Sequence, residues 1–480
     1  MLYIQNYIDG VLSEALTGTW LAVHEPATGN VYAQAPASAG ADVDAAVDAA
    51  KRAFPAWCAT EAEERSRLLR RVADMIEERL EEFAQAESRD NGKPVWLARM
   101  VDIPRAAKNF RFFATAILHT SSEAHQTDDI ALNYTLQQPI GVAGCISPWN
   151  LPLYLFTWKI APALAAGNCV VAKPSEITPY SAFLLSQVCI EAGLPQGVLN
   201  IVHGLGTDVG TAITAHPDIP AISFTGGTAT GASIARTAAP MFKKLSLELG
   251  GKNPTLIFAD CDFEETLVTV LRSAFSNQGE ICLCGSRIFV ERSLYDRFRD
   301  AFVERVRALV VGDPLDDATG QGALVSATHM EKVLSYIALA REEGGTVLCG
   351  GERIQLTGRC EDGWFVSPAV IEGLPFTCRT NQEEIFGPVV TLTPFDTEDE
   401  LLAMANSTSY GLAASVWTSD LRRAHRVAAA LHMGIVWVNC WMLRDLRTPF
   451  GGVKQSGVGR EGGWEALRFF TEAKNVCIKL

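Results

Sequence analysis

After Pro139 the chain settles into an alternation that few folds accommodate. Short, almost wholly apolar runs trade places with stretches of helical period. IGVAGCIS (140–147) is followed by a predicted helix from Pro152 to Ala166, and NCVVAK by another near Pro179 to Ala192. VLNIVHG, AISFTGG and NPTLIF are further short runs, and a second series starts near Arg287 and ends with GIVWVN. A strand with no polar face must be covered on both sides, and that is the condition of a parallel sheet between helices. Two such series predict an α/β chain with two doubly wound, Rossmann-like domains and a cleft between them.

The flanks are less regular. A short hairpin is expected at Asp9-Gly10, and helical period from Ala41 to Arg89, with Leu68, Leu69, Val72, Met75, Ile76, Leu80 and Phe83 on one face. Asn91-Gly92-Lys93-Pro94 ends it, and a further helical stretch, broken at Pro104, runs to about Ala116. Ile130 to Gln137 and the terminal AKNVCIKL read as extended. With 480 residues, 48 % of them hydrophobic, two or three domains and a large core are expected. A net charge of −14 argues against nucleic acid or an anionic membrane as partner, and an anionic substrate would need a local group of Arg or Lys. The twelve cysteines are scattered without a CxxC pair, so neither a disulfide framework nor a bound metal is expected. With no signal-like N-terminus and no apolar run of about 18 residues, the reading is cytoplasmic.

Three segments carry chemistry. Asn277-Gln278-Gly279-Glu280-Ile281-Cys282 sits on a connector between a helix and a strand, where a thiol can be reached. Taken alone, Cys282 would more often be a buried structural cysteine. Glu248 precedes Gly250-Gly251, and glycines there let backbone approach while leaving the carboxylate room to swing; the ordinary alternative is a solvated Glu at a strand end. Ser147-Pro148-Trp149-Asn150-Leu151-Pro152 ends a strand and starts a helix, and Asn150 could equally be its N-cap.

In this order, and with Phe224-Thr225-Gly226-Gly227, Glu383 to Pro388, and Pro449 to Gly452 followed by Ser456-Gly457, these segments resemble the aldehyde dehydrogenase superfamily over the whole chain. The resemblance implies that Cys282 attacks the aldehyde, that the Asn150 amide and the Cys282 N–H hold the oxyanion, and that Glu248 activates water to hydrolyse a thioester. Members that pass the acyl group to coenzyme A usually lack this glutamate. A structural protein recruited from the fold would be expected to have lost one of the three residues.

The same resemblance implies NAD as cofactor. Gly204-Leu205-Gly206-Thr207-Asp208-Val209-Gly210 follows a strand, but its GxGxxxG spacing is weak as a dinucleotide fingerprint. The family places the pyrophosphate near the helix opening at Gly226-Gly227-Thr228, with Gly206, Gly231, Leu249, Ser147 and Trp149 around the cofactor. Lys173 and Glu176 would bind the adenosine ribose, the carboxylate disfavouring a 2′-phosphate. Glu384 and Phe386 would hold the nicotinamide ribose and ring.

Further marks are Asp102 to Arg105, Asn109 to Ala114, ISPWNLPLYLFTWKIAPA, QGEICLCG and Asn439 to Arg444. With them the chain resembles the branch of that superfamily that acts on muconate semialdehydes, and the resemblance implies an aminomuconate or hydroxymuconate semialdehyde as substrate. A substrate with a remote carboxylate would then be gripped by Arg444 and Arg105, with Leu151, Leu155 and Trp158 as the apolar wall; Arg99, Arg111 and Arg447 read as surface or ion-paired. The expected division is 1–118 with 141–250 for NAD, 251–450 for catalysis, and 119–140 with 460–480 as a small oligomerisation sheet, giving a homodimer or homotetramer.

Overall fold

The computed structural model describes all 480 residues, and two sheets carry it. The first has eight strands, five of them parallel in its middle: Val142–Ile146, Cys169–Lys173 and Leu199–Ile201 run outward, then Ala221–Thr225 and Lys244–Glu248 build the other flank. The strand order reverses between Val142–Ile146 and Ala221–Thr225, so their carboxyl ends deliver Ser147 and Gly226 as neighbours. In doubly wound sheets such a reversal opens the crevice where ligands bind. The edges are antiparallel: Asn6–Ile8 pairs with Leu199–Ile201, and Gly457–Val458 pairs with Lys244–Glu248. A core of 62 buried residues packs around this sheet and makes it the rigid platform of the molecule.

The second sheet has seven strands, six of them parallel. It begins at Pro254–Ile257, not near Arg287 as the run of motifs suggested, because Gly250-Gly251 carries the chain straight from the carboxyl end of Lys244–Glu248 to the amino end of Pro254–Ile257. The cleft therefore lies between the carboxyl edge of one sheet and the amino edge of the other. A third sheet joins Ala124–Thr127, Ala131–Pro139 and Thr471–Lys479, with nine paired positions from Thr471↔Pro139 to Lys479↔Ala131. It leaves Leu132, Leu136 and Ile478 exposed.

The hairpin at Asp9-Gly10 forms as expected. The helical period up to Arg89 is three helices, Gly40–Ala59, Ala62–Glu78 and Leu80–Asn91, the last ended by Gly92 at φ +85°. Pro104 does not break its helix. Val95–Leu97, a five-residue π turn at Ala98–Asp102 and Ile103–Ala116 follow without a gap, so the α-helical hydrogen-bond register changes just ahead of the proline and the helix runs on through it. No helix is long and apolar enough to cross a membrane.

Candidate active site

Three consecutive left-handed residues, Asn277 (φ +52°), Gln278 (φ +56°) and Gly279 (φ +72°), turn the chain into the Cys282 loop. Two of them are not glycine, a local cost that the surroundings must over-determine. The Asn277 amide donates to the Asn150 and Glu280 carbonyls and the Gln278 amide to the Ala323 carbonyl, while a Cβ on Gly279 would lie 2.3 Å from the Gly387 carbonyl oxygen. Beyond the turn, one Asn253 amide donates to the carbonyls of both Cys282 (2.7 Å) and Cys284 (2.9 Å). The loop is thus pinned on both sides of the thiol. Cys282 keeps part of its surface open, whereas Cys284 is buried. The Cys282 N–H makes no hydrogen bond within the protein. Burial, together with Glu384 and Glu248, pushes the Cys282 thiol above its ordinary range; the Arg444 charge pulls the other way.

Asn150 lines the same cleft of about 260 Å³ as Cys282. Its amide donates to the Glu280 carbonyl at 2.8 Å, which leaves a second N–H on that nitrogen. The N-cap alternative fails, because the cap of the Pro152–Ala165 helix is Leu151, whose side chain has no hydrogen-bond acceptor.

Glu248 is 4 % exposed and both its carboxylate oxygens lack a hydrogen-bond partner. Burial and the nearby Glu461 raise its pKa well above the usual carboxylate range. The glycines after it do admit a close backbone approach, as expected, but they are not what gives Glu248 its room. A Cβ on Gly250 would strike the Glu384 carboxylate at 2.3 Å, and one on Gly251 the Cys282 carbonyl oxygen at 2.8 Å; the Gly251 N–H donates to Glu384 Oε1 at 2.7 Å. They admit Glu384 and the cysteine loop. Room for Glu248 comes from Gly451, where a Cβ would lie 2.7 Å from Glu248 Oε1. Beside it lies a network absent from the sequence reading: Lys159 Nζ bonds Glu461 Oε1 (2.8 Å) and Ser223 Oγ (3.2 Å). Its members lie on three elements with no shared motif, so no local signal reveals it.

On one side of Cys282 the cleft is lined by Trp149, Gly226, Gly227, Leu249, Glu384 and Phe386 as expected, and also by Thr225, His329 and Lys332, which sequence reasoning missed. The rings of Trp149, His329 and Phe386 meet edge to face, with Trp149 5.1 Å from His329 and 5.2 Å from Phe386. The helix Thr228–Ala238 opens here, and the first of its N–H groups with an internal acceptor is that of Gly231, to the Gly227 carbonyl. Gly231 lets Leu249 close on it, since a Cβ would lie 2.5 Å from Leu249 Cδ2. The hydroxyls of Ser147, Thr225 and Thr228 are buried without partners. Lys173 Nζ and Glu176 Oε2 are 2.8 Å apart. Burial pushes the Glu176 carboxyl up, but the Lys173 ammonium and the Gly206 N–H more than offset it and hold the group below its usual range. Gly206 itself starts a five-residue π turn, Gly206–Gly210.

On the other side stand the two arginines. Arg444 Nη1 bonds the Tyr154 hydroxyl at 2.7 Å, and its guanidinium lies 3.9 Å from the Phe450 ring centre and 5.3 Å from that of Trp158. Arg105 lies 5.5 Å from the same Trp158 ring and 5.2 Å from Tyr154, its Nε held by Asn109 Oδ1 at 3.1 Å. One of its nitrogens, Nη2, is buried and unpartnered. Neither arginine has a carboxylate within ion-pair distance, whereas Arg99, Arg111 and Arg447 are paired with Glu81, with Asp74 and Glu77, and with Asp445. Arg444 also borders an open hollow of about 950 Å³ between Lys108–Phe112 and the 443–449 loop. The expected apolar wall is split: Leu151 and Leu155 pack with Cys282, but Trp158 belongs to the core of the first sheet and meets the site only through its arginine-flanked ring. The residue between them, Tyr154, was missed.

A family model described as the aldehyde dehydrogenase family matches residues 13–476. A protein of Danio rerio named 2-aminomuconic semialdehyde dehydrogenase is 53 % identical, covering 100 % of this chain and 98 % of that protein. A 2-hydroxymuconic semialdehyde dehydrogenase of Pseudomonas sp. (strain CF600) is 47 % identical, covering 100 % of both. The solved NAD⁺ complex of an aldehyde dehydrogenase from Bacillus cereus superposes with a TM-score of 0.96 at 41 % identity, covering 100 % of this chain and 97 % of that one.

Proposed function

The chain belongs to the aldehyde dehydrogenase family, and we propose that it oxidises 2-aminomuconate 6-semialdehyde to 2-aminomuconate with NAD. The observation that carries the substrate is the pair Arg105 and Arg444, two guanidiniums about one indole ring without a carboxylate partner in a chain of net charge −14. A carboxylate at the end of the substrate remote from the aldehyde supplies the missing anion through charge-assisted bonds, about twice as strong as neutral ones. The same grip takes 2-hydroxymuconate 6-semialdehyde, favoured as second reading by the relative at 47 % identity.

The residues present fit a dinucleotide. Free N–H groups at a helix start, unpartnered hydroxyls of Ser147, Thr225 and Thr228, and small residues at 226 and 227 suit a pyrophosphate, and Glu176 with Lys173 suits a ribose diol. Trp149, Phe386 and Glu384 would hold the nicotinamide end. When bound, NAD supplies the acceptor for the hydride that leaves the substrate carbon.

The remaining chemistry belongs to the chain. Cys282 passes its proton to solvent water and its sulfur adds to the aldehyde carbon, giving the oxyanion of a thiohemiacetal. The second Asn150 N–H and the unpaired Cys282 N–H are the donors left free to bind the oxyanion; each such donor is worth about 3–4 kcal/mol in the transition state. Oxidation leaves a thioester on Cys282. Glu248, unpartnered and with room beside Gly451, takes a proton from water, whose oxygen attacks the thioester carbon; the free acid and the Cys282 thiol are released. The exposed faces of the third sheet, with Leu132, Leu136 and Ile478, support self-assembly as a dimer or tetramer.

The test mixes protein and NAD with a carboxylated semialdehyde or a neutral aldehyde of similar length, with and without coenzyme A, and follows absorbance at 340 nm. Preference for the carboxylated substrate, independent of coenzyme A, is expected. Equal use of both aldehydes would remove the substrate reading, and a requirement for coenzyme A would remove hydrolysis.

A further inference from the structure

Below the cleft lies a charged cluster that the mechanism above does not use. Lys93, fully buried, points its ammonium at Asp102 Oδ2 (2.6 Å), at Glu87 Oε1 (3.8 Å) and at the main-chain carbonyl oxygen of Asn150 (3.1 Å). Asp102 is delivered by the π turn Ala98–Asp102, an irregularity of the kind often found at functional sites. Asn91 donates to the carbonyl of Trp149 at 3.2 Å, and Glu87 Oε2 accepts the Leu153 N–H at 3.3 Å. The segment Trp149–Leu153 is therefore gripped at three points by side chains from one helix end and the loop after it.

We propose that Lys93 is a positioning residue for Asn150, its ammonium fixing the peptide from which the oxyanion donor projects. A buried ammonium between carboxylates stabilises a fold poorly compared with apolar side chains of the same volume, so packing alone does not account for it. A cation provides what a methyl group cannot, a strong directional bond to a peptide oxygen. The Asn150 carbonyl needs that bond because its other firm partner, Asn277, belongs to the cysteine loop opposite. Without Lys93 the Asn150 carbonyl keeps only Asn91, at 3.5 Å, as a side-chain partner outside the cysteine loop, while Asn91 and Glu87 still hold Trp149 and Leu153 on either side of it. The Asn150 amide would then follow the cysteine loop, to whose Glu280 carbonyl it is bonded, rather than hold a place against it.

The inference rests on the aldehyde-oxidising reading of the site, and single-turnover NADH formation after rapid mixing separates the two. Wild-type protein in excess over aldehyde should give one burst of NADH equal to the aldehyde supplied; no NADH with any aldehyde would overturn that reading and this inference together. Given a burst, Lys93→Met should slow it about 10- to 100-fold per intact thiol, the scale of an ångström-size misplacement, with NAD affinity unchanged. In an Asn150→Ala background Lys93→Met should add nothing. A normal burst rate in Lys93→Met, or the same slowing factor with and without Asn150, would mean that Lys93 serves only the fold and would overturn the inference. If Lys93→Met does not accumulate folded, Asp102→Asn, which loosens the ammonium without deleting it, must show the same pattern at smaller size. A normal burst there would overturn it equally.

Discussion

On the Gly226-Gly227 side of Cys282 the protein offers mostly backbone; on the Arg444 side it offers side chains. The first side presents free N–H groups at the start of Thr228–Ala238, short hydroxyls without partners, and glycines that keep the approach open. The second presents two guanidiniums, each already steadied by a neutral group: Tyr154 for Arg444, Asn109 for Arg105. A backbone surface recognises what every member of a family binds and is hard to alter by substitution. A side-chain surface recognises what one member binds, and single substitutions can remove it. On the proposed mechanism Cys282, Asn150 and Glu248 serve both sides, so changes to them should be the most damaging and the least selective.

Cys282→Ala is the extreme case: NADH formation at 340 nm should fall to background for every aldehyde. Glu248→Gln comes next. Acyl attachment should survive while hydrolysis slows by about 10²–10⁴, the usual worth of a positioned base, so intact-mass spectrometry should find the acylated protein after one turnover. The pH dependence has a definite sign. Burial and Glu461 raise the Glu248 pKa, so the carboxyl is protonated, and idle as a base, to higher pH than an ordinary glutamate. Thioester hydrolysis should therefore climb with pH through that raised value and fall away on the acid side, and the slope should vanish in Glu248→Gln. A variant that turns over normally would show that the centre of the site has been misassigned.

Arg444→Ala tests the side-chain surface. A hydrogen bond to a charged group is worth about 1.5–3 kcal/mol, so KM for a carboxylated semialdehyde should rise about 10- to 100-fold while a neutral aldehyde of equal length is little affected. Arg105→Ala should act in the same direction. Equal damage to both substrates would make the two sides of Cys282 alike in kind and dissolve the contrast.

The parallel strands, the cysteine loop and the turn that carries Asn150 were legible because each is a contiguous string with a local physical reason. Apolar runs of four to eight residues, glycines where backbone closes up and a proline at a helix start all leave their mark in sequence. What could not be read depends on residues far apart in the chain. Lys159 meets Glu461 across 302 positions, and Tyr154 reaches Arg444 across 290. His329 and Lys332 face the cleft only because Ala327–Glu342 packs against the Glu384–Phe386 strip, which its own pattern does not announce. At Pro104 the sequence predicts a break, and the structure has instead a π turn just ahead of the proline, through which the helix continues.

The smallest effect expected lies on the backbone side, where one side chain is proposed to discriminate. Glu176 is 2.8 Å from Lys173 and about one-third exposed. Its carboxylate can accept from both hydroxyls of a ribose and repels a 2′-phosphate. Glu176→Gln removes the repulsion and also releases the Lys173 ammonium, which could then meet the phosphate. Both changes favour NADP, and neither touches the pyrophosphate or nicotinamide contacts. Partly exposed charge interactions are worth about 0.5–1 kcal/mol each, so the ratio of kcat/KM for NAD over NADP should shrink about two- to fivefold for one such term and by at most its square for two. Lys173→Met in the same background should return part of the preference, since it removes the attraction without restoring the repulsion. Equal use of NAD and NADP by the wild-type protein would show that Glu176 does not discriminate, and that the backbone side recognises the dinucleotide through its peptide groups alone.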